Sequence, residues 1–73
     1  MKVRGATLPG VGRRYELTTG GGRRLGLIAY RSGRRDLVVY DVPTDPDAAR
    51  PIATLTPAES DTLAELLTAG TPA

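Results

Sequence analysis

The 73-residue sequence contains no cysteine and no histidine. The lack of cysteine excludes disulfides, thiol nucleophiles and cysteine-ligated zinc sites, and the lack of histidine removes the commonest general base and metal ligand. No apolar run approaches the roughly 18 residues of a membrane span, and no apolar segment follows the basic N-terminus as it would in a secretory signal peptide. We therefore expect a cytoplasmic protein that is not an enzyme and holds no cofactor or metal.

Length and composition predict one small globular domain. Hydrophobic residues make up 40% of the chain and charged residues 25%, which is ordinary for a folded protein. A chain this short buries only about 60% of its unfolded surface, so its core is thin. We predict a single domain over residues 1–70, followed by a tail or linker over residues 71–73.

The charges are distributed unevenly along the chain. Residues 1–40 hold nine basic and two acidic side chains, a net charge of +7, whereas residues 41–73 hold one basic and six acidic side chains, a net charge of −5. Such an asymmetry can steer a partner or favour self-association. A solvated surface on both halves explains the same pattern equally well.

The first forty residues predict four β-strands separated by turns. The segments with strand-like alternation are residues 2–8, 14–19, 23–31 and 34–41. Breaks fall at Pro9–Gly12, Gly20–Gly22 and Ser32–Gly33, because proline cannot donate to a sheet and glycine permits positive φ.

The third and fourth predicted strands are apolar on both of their faces. A strand with one face in water alternates apolar and polar residues, so this pattern predicts a sheet covered on both sides. A chain of this length supplies only one helix. A loop, a curled sheet or a partner molecule would therefore have to cover the second face.

The C-terminal part predicts a helix. Thr56 suits the N-cap, Pro57 suits the first helical position, and Glu59 completes a capping box. The helix should run to about Ala69 and stop at Gly70. Its apolar stripe consists of Leu63, Leu66 and Leu67. Because ordering a helix of this length costs at least as much free energy as burying three leucines contributes, we expect the helix to dock on the sheet.

Two segments lie between the predicted strands and the helix. Residues 43–47 contain two prolines and two aspartates, which predicts a loop. Residues 50–55 predict a fifth strand, placed at a sheet edge because Pro51 has no N–H group. The predicted fold is α+β, with a four- to five-stranded, mostly antiparallel sheet and one C-terminal helix packed across it.

Two motifs that could carry chemistry have simpler explanations. Asp41, Asp45 and Asp47 could bind a hard cation, but they lack the glycine and terminal glutamate of a calcium loop, so turn formation is favoured. The glycines 20–22 followed by Arg23 could hold a phosphate, but known phosphate loops precede a helix rather than a strand. A hairpin turn is therefore favoured there.

Nucleic-acid binding is an alternative function for a small basic β-domain. Such modules stack bases on exposed aromatic rings. The only aromatic residues here are Tyr15, Tyr30 and Tyr40, which lie in predicted strands with apolar neighbours. The acidic second half would also repel phosphates, so no nucleic-acid partner is expected. A freestanding structural or toxin–antitoxin-like interaction domain is a further alternative.

Four runs of sequence together resemble a known family. They are Leu8-Pro-Gly-Val-Gly-Arg-Arg-Tyr-Glu-Leu17, Gly33-Arg-Arg-Asp-Leu-Val-Val-Tyr-Asp41, Asp45-Pro-Asp47 and Ala64-Glu-Leu-Leu67. Their order and spacing resemble the N-terminal domain of the regulatory subunits of bacterial potassium (cation)/proton antiporters, from residue 1 to about residue 69. The resemblance implies a cytoplasmic homodimer that docks on a membrane antiporter subunit, regulates it, and is peripheral to the inner membrane through that partner.

The resemblance also implies a second domain. In that family the N-terminal domain precedes a ligand-binding domain of the kind found in regulators of potassium conductance, and members regulated by cyclic di-AMP are thought to bind it there. That C-terminal domain is absent from these 73 residues. We therefore expect the docking or dimerising part of a regulator rather than its sensor, and we assign no nucleotide site.

The resemblance concentrates in the 9–14 turn and the 34–41 strand, where we predict an interaction surface. The alternative explanation for the same residues is purely structural: they form the turn or fill the core and contact no partner. The candidate interaction residues are Pro9, Gly10, Gly12, Arg13, Arg14, Tyr15, Arg34, Arg35, Asp36, Tyr40 and Asp41.

Overall fold

The computed structural model describes residues 1–40 and 49–70. In these ranges it contains the strands β1 (Lys2–Leu8), β2 (Gly12–Thr18), β3 (Arg24–Tyr30), β4 (Arg35–Tyr40) and β5 (Ala49–Leu55), and the helix α1 (Pro57–Ala69). The strands form one antiparallel sheet in the order β1-β2-β3-β4-β5. The predicted α+β fold is therefore confirmed. The predicted loop over residues 43–47 and the tail over residues 71–73 lie outside the described residues.

The turn between β1 and β2 is shorter than predicted. The Val11 N–H donates to the Leu8 carbonyl at 3.0 Å, and Gly10 has a φ of +75°, which favours glycine. We predicted Gly12 in the turn, but it begins β2 and pairs with Leu8. A Cβ atom at Gly12 would collide with the Ala29 carbonyl of β3. This close approach of two strands explains the glycine.

Four residues, 31–34, separate β3 from β4, rather than the predicted two. The Tyr30 N–H donates to the Arg34 carbonyl at 2.9 Å, and the Gly33 N–H donates to the Tyr30 carbonyl at 3.0 Å. The hydrogen bond between Tyr30 and Arg34 encloses residues 31–33, and Gly33 takes a φ of +99°. The strand β3 therefore ends at Tyr30 rather than at the predicted Arg31, and β4 begins at Arg35 rather than at the predicted Arg34.

The strand β5 lies at a sheet edge, as predicted from Pro51. Its pairing with β4 shifts register between Leu37 and Val38, because β5 carries one additional residue there, Ile52. An extra residue of this kind is a β-bulge, which twists an edge and interrupts its row of hydrogen-bonding groups. The opposite edge, β1, pairs with β2 without such a shift.

The pairing register divides the side chains of the sheet between two faces. The apolar face carries Val3, Tyr15, Leu17, Leu25, Leu27, Ala29, Leu37, Val39 and Ala53. The polar face carries Arg4, Arg14, Glu16, Arg24, Ile28, Asp36, Val38, Tyr40 and Thr54. The two sets alternate along β1 to β4, as the two-residue period of a strand requires, and the bulge at Ile52 interrupts this alternation in β5.

The strands β3 and β4 carry apolar side chains on both faces of the sheet, as predicted. The other strands place charged or polar side chains on one of these faces, so the sheet as a whole is not apolar on both sides. On the polar face, Ile28 lies between Arg14 of β2 and Asp36 of β4. Among the described residues, Tyr40 is the only buried hydrophobic side chain, at 5% exposure, and the Arg24 guanidinium lies over its ring. An arginine stem and head can cover apolar surface while the charge stays hydrated. The chain itself therefore helps to cover its polar face.

The helix forms where predicted but does not dock on the sheet. Thr56 Oγ1 accepts from the Glu59 N–H at 3.1 Å, Glu59 Oε1 accepts from the Thr56 N–H at 2.8 Å, and Gly70 ends the helix with a φ of +78°. No residue of α1 is buried, and its contacts with the sheet are mainly with β5. Thr56 alone connects β5 to α1.

Candidate interaction surface

Two of the predicted interaction segments meet at one end of the sheet. The Arg31 N–H donates to the Val11 carbonyl at 3.0 Å, which joins the β1–β2 turn to the β3–β4 loop. We call residues 8–14 and 30–36 the hairpin end. It contains most of the predicted interaction residues, namely Pro9, Gly10, Gly12, Arg13, Arg14, Arg34, Arg35 and Asp36.

Two predicted interaction residues, Tyr15 and Tyr40, lie elsewhere, and a third lies outside the described residues. Tyr40 ends β4 at the opposite end of the sheet, and Asp41 lies outside the described residues. Tyr15 lies on the apolar face in the middle of β2, opposite Gly5. A Cβ atom at Gly5 would lie 3.4 Å from the Tyr15 ring, so the missing side chain leaves space for that ring to pack on β1. Tyr15 and Tyr40 therefore have structural explanations.

The hairpin end is strongly cationic. Within its two segments there are five arginines and a single acid, Asp36. The arginines are Arg13, Arg14, Arg31, Arg34 and Arg35. Sequence reasoning missed Arg31, because it was placed at the end of a strand, whereas it is the first and exposed residue of the loop. Such a density of one sign of charge attracts an anionic partner.

Asp36 orients part of this cluster. Tyr30 Oη donates to Asp36 Oδ2 at 2.9 Å, Thr54 Oγ1 donates to Oδ1 at 2.9 Å, and Arg34 Nη2 donates to Oδ2 at 3.2 Å. Partial burial raises the pKa of Asp36, but the hydrogen bonds from Tyr30, Thr54 and Arg34 outweigh this and lower its pKa overall. The Arg34 guanidinium also lies 4.0 Å from the centroid of the Tyr30 ring. Arg34 is thus held by a charge pair and by an aromatic face.

Arg13 and Arg35 border the apolar face at the hairpin end. Both pair with Ala29, one from each side, so they flank β3 on the same face. Arg13 Nη1 donates to Thr7 Oγ1 at 3.1 Å, and Arg35 Nη1 donates to the Tyr30 carbonyl at 3.2 Å. These bonds hold two positive charges at the margin of the apolar face.

A second charged cluster crosses the polar face. Glu16 accepts from Arg24 Nη2 at 2.6 Å and lies 3.6 Å from Arg14 Nη2. The hydrogen bond from Arg24 is the main cause of a lowered pKa at Glu16, and the charges of Arg14 and Arg4 lower it further. With one acid among three arginines, this face also remains cationic.

Sequence reasoning did not predict that cluster. Arg4, Glu16 and Arg24 lie on three different strands, and only the pairing register brings them together. The strand periodicity placed Glu16 on the face opposite Tyr15, but a single sequence carries no signal for which cross-strand partners it meets.

The described residues offer no metal site. Within residues 1–40 and 49–70, no three acidic side chains lie close enough together to bind a metal ion. In the same ranges, the structure holds no helix with the length and hydropathy needed to cross a bilayer. The feature with evident chemical capability is the arginine cluster of the hairpin end, which can donate multiple charge-assisted hydrogen bonds.

Comparison with known proteins gives a family for the whole folded region. Residues 1–71 match the family model described as K(+)/H(+) antiporter subunit KhtT, N-terminal domain. No significant match to a curated protein was found. The matched range includes all five strands and α1.

Proposed function

The chain belongs to the K(+)/H(+) antiporter subunit KhtT N-terminal domain family, and we propose on that basis that it is a non-catalytic regulatory module of a cation/proton antiporter. It acts by two contacts: it forms a homodimer, and it docks on the cytoplasmic side of the membrane antiporter subunit. This docking places it at the inner membrane.

The five arginines of the hairpin end are the observation that carries the docking proposal. Arg31 and Arg34 come from the β3–β4 loop, and Arg13, Arg14 and Arg35 come from the starts of β2 and β4, so all five lie at one end of the sheet. Arg34 is held against Tyr30 and Asp36, which lowers the entropy lost when it binds a partner. A guanidinium binds carboxylates with two parallel hydrogen bonds. The matching partner is an acidic segment of the antiporter.

Nucleic acid is the less favoured partner for the same arginines. Single-strand binders need aromatic faces open to bases. Here Tyr40 is almost fully buried beneath Arg24, and one face of Tyr30 is taken by Arg34. The charge of the hairpin end attracts phosphates as well as carboxylates, so oligonucleotide binding is retained as an outcome of the test.

A salt-dependent binding assay with the membrane antiporter subunit tests the docking proposal. The full chain is titrated onto the antiporter in detergent or nanodiscs, and Arg31→Glu is compared with Arg23→Glu. Both residues are exposed, but Arg23 lies in the turn at the opposite end of the sheet. We expect Arg31→Glu to weaken binding about tenfold, a change of about 1.4 kcal/mol, and Arg23→Glu to change it less than twofold.

Other results would overturn parts of the proposal. Equal effects of the two variants would remove the hairpin end as the docking surface. Tight oligonucleotide binding with a steep salt dependence, without antiporter binding, would favour the nucleic-acid alternative. Potassium/proton exchange in everted vesicles, measured with and without the chain, tests the regulatory role independently of the surface.

A further inference from the structure

The apolar face of the sheet has no cover among the described elements. Its central side chains, Leu25, Leu27, Leu37 and Val39, are only half-buried, and Val3 at its margin is 58% exposed. In a folded domain, leucines at the centre of a sheet face are normally packed beneath a second layer. The helix of the same chain does not supply that layer, because its contacts are mainly with the edge strand β5.

The helix α1, in turn, lacks a surface that covers its apolar side chains. Its leucine stripe is half-buried at Leu63, 41% exposed at Leu66 and 79% exposed at Leu67. A helix of thirteen residues is marginal in water unless an apolar face is packed. The capping box stabilises its first turn, but it does not replace tertiary burial of the stripe.

We infer that α1 of one copy packs across the apolar face of a second copy, so that a two-fold symmetric dimer exchanges its helices. Each chain contributes one uncovered sheet face and one uncovered helix, and the exchange covers both at once. A two-fold axis generates this contact twice in a closed dimer. The inference gives a geometry to the proposed dimerisation and rests on it, but it is independent of docking to the antiporter.

Charge complementarity favours the helix as the occupant. The described helix carries Glu59, Asp61 and Glu65 and no basic residue. The apolar face is bordered by Arg13 and Arg35 at the hairpin end. By helical periodicity Glu59 lies on the leucine side of α1, whereas Asp61 and Glu65 lie on the other side. Glu59 is therefore the acid that meets the cationic margin when the leucine stripe lies on this face.

The same charges disfavour the simplest alternative dimer. If the apolar faces of two copies packed directly against each other, Arg13 and Arg35 of both chains would border one interface, with like charges brought together. That arrangement would also leave the leucine stripes of both helices in water. Helix exchange avoids both costs.

The absence of cysteine from the chain allows a direct cross-linking test. Two full-length single-cysteine variants with different tags are mixed under mild oxidation, Leu66→Cys on the helix and Leu27→Cys on the apolar face. We expect a disulfide that joins the two tagged chains. The matched control pairs Leu66→Cys with Thr18→Cys, which lies on the polar face of β2, and should give at least tenfold less cross-linked product.

A second measurement uses the dimer dissociation constant from analytical ultracentrifugation. Leu66→Glu should weaken the dimer at least tenfold, whereas Thr68→Glu, on the opposite side of α1 by helical periodicity, should change it less than threefold. Dimerisation should also weaken with added salt, because charge pairs at the margin are screened.

The outcomes separate the inference from the proposed function. A dimer that forms without the inter-tag disulfide and is unaffected by Leu66→Glu overturns helix exchange and leaves dimerisation standing. A chain that remains monomeric at all concentrations overturns both. If the Leu27→Cys/Leu66→Cys double variant forms an intrachain disulfide while the mixed single variants do not cross-link, each helix covers its own sheet. Antiporter binding by such a monomer would still support docking.

Discussion

The guanidinium of Arg24 lies 4.4 Å from the centroid of the Tyr40 ring. The same guanidinium donates to Glu16 at 2.6 Å, so one side chain joins the most buried aromatic residue of the described chain to the acid of the polar face. Arg24 is thus a structural residue of the polar face. This relationship predicts which substitutions on the polar face reduce stability and which do not.

Replacing Arg24 with leucine should lower the free energy of unfolding by about 1–2 kcal/mol. The change removes a cation–π contact and a charge-assisted hydrogen bond, and it leaves Glu16 without its nearest cation. Arg23→Leu, in the adjacent turn, should change stability by less than about 0.5 kcal/mol. Urea denaturation followed by circular dichroism measures both. Equal stability of the two variants would contradict the structural role of Arg24.

A methyl group added at position 26 should also destabilise the sheet. A Cβ atom at Gly26 would collide with Cγ2 of Val38 and lie 3.4 Å from the Tyr40 ring. Overpacking of this kind costs about 1–3 kcal/mol, so Gly26→Ala should shift the denaturation midpoint to lower urea. Gly20→Ala is the matched control, since a Cβ there meets no atom within 4 Å. A neutral Gly26→Ala would mean that β4 repacks without cost.

Removing the N-cap hydroxyl should melt α1 selectively. Thr56→Ala deletes the oxygen that accepts from the Glu59 N–H, at a cost of about 1 kcal/mol to the helix. We expect the Cα chemical shifts of α1 to move toward random-coil values while those of β2 and β3 stay unchanged. Thr68→Ala, on the exposed helix surface, should leave the shifts of α1 in place. Loss of sheet signals in Thr56→Ala would instead indicate that α1 stabilises the whole domain.

Glu16 should make stability depend on pH in the acid range. Its pKa is lowered in the folded state, chiefly by the hydrogen bond from Arg24. Its stabilising contribution is therefore complete above the unfolded pKa of about 4.3 and is lost as the pH falls through the lower, folded pKa. Thermal melts of Glu16→Gln should show a flatter pH dependence below about pH 4.3 than the parent chain.

Glu65→Gln provides the reference for that experiment, because Glu65 lies exposed on α1. It should reproduce the acid destabilisation of the parent chain. A direct carboxyl titration by NMR gives the pKa of Glu16, and Arg24→Leu should raise it. An unchanged pKa in that variant would assign the shift to the more distant arginines.

The features that were predictable from sequence are those set by neighbouring residues. The capping box of Thr56 and Glu59, the stop at Gly70 and the edge position implied by Pro51 all depend on backbone groups within a few residues. For the same reason the hairpins were predictable, although their ends moved by one or two residues at Gly12 and Arg34. The residues of a turn indicate approximately where a hairpin lies. The pairing of its two strands determines which residues form the last hydrogen bond before the turn.

The features that were not predictable depend on pairing across the sheet. Glu16 meets Arg24 only through the β2–β3 register, and the β5 bulge at Ile52 arises in pairing with β4. The prediction that α1 would dock on the sheet was wrong. An apolar stripe indicates that a helix needs a surface to pack against, but it does not indicate which chain supplies that surface.

The amino-acid sequence by itself therefore determined the strands, their turns, the capped helix and the excess of arginine in the first forty residues, since each follows from local backbone preference or composition. The tertiary structure decided which arginines form the hairpin end, which one covers Tyr40, and that the leucines of α1 and the apolar face of the sheet remain apart within one chain. These are relations between residues distant in sequence, which local backbone preference and composition do not determine.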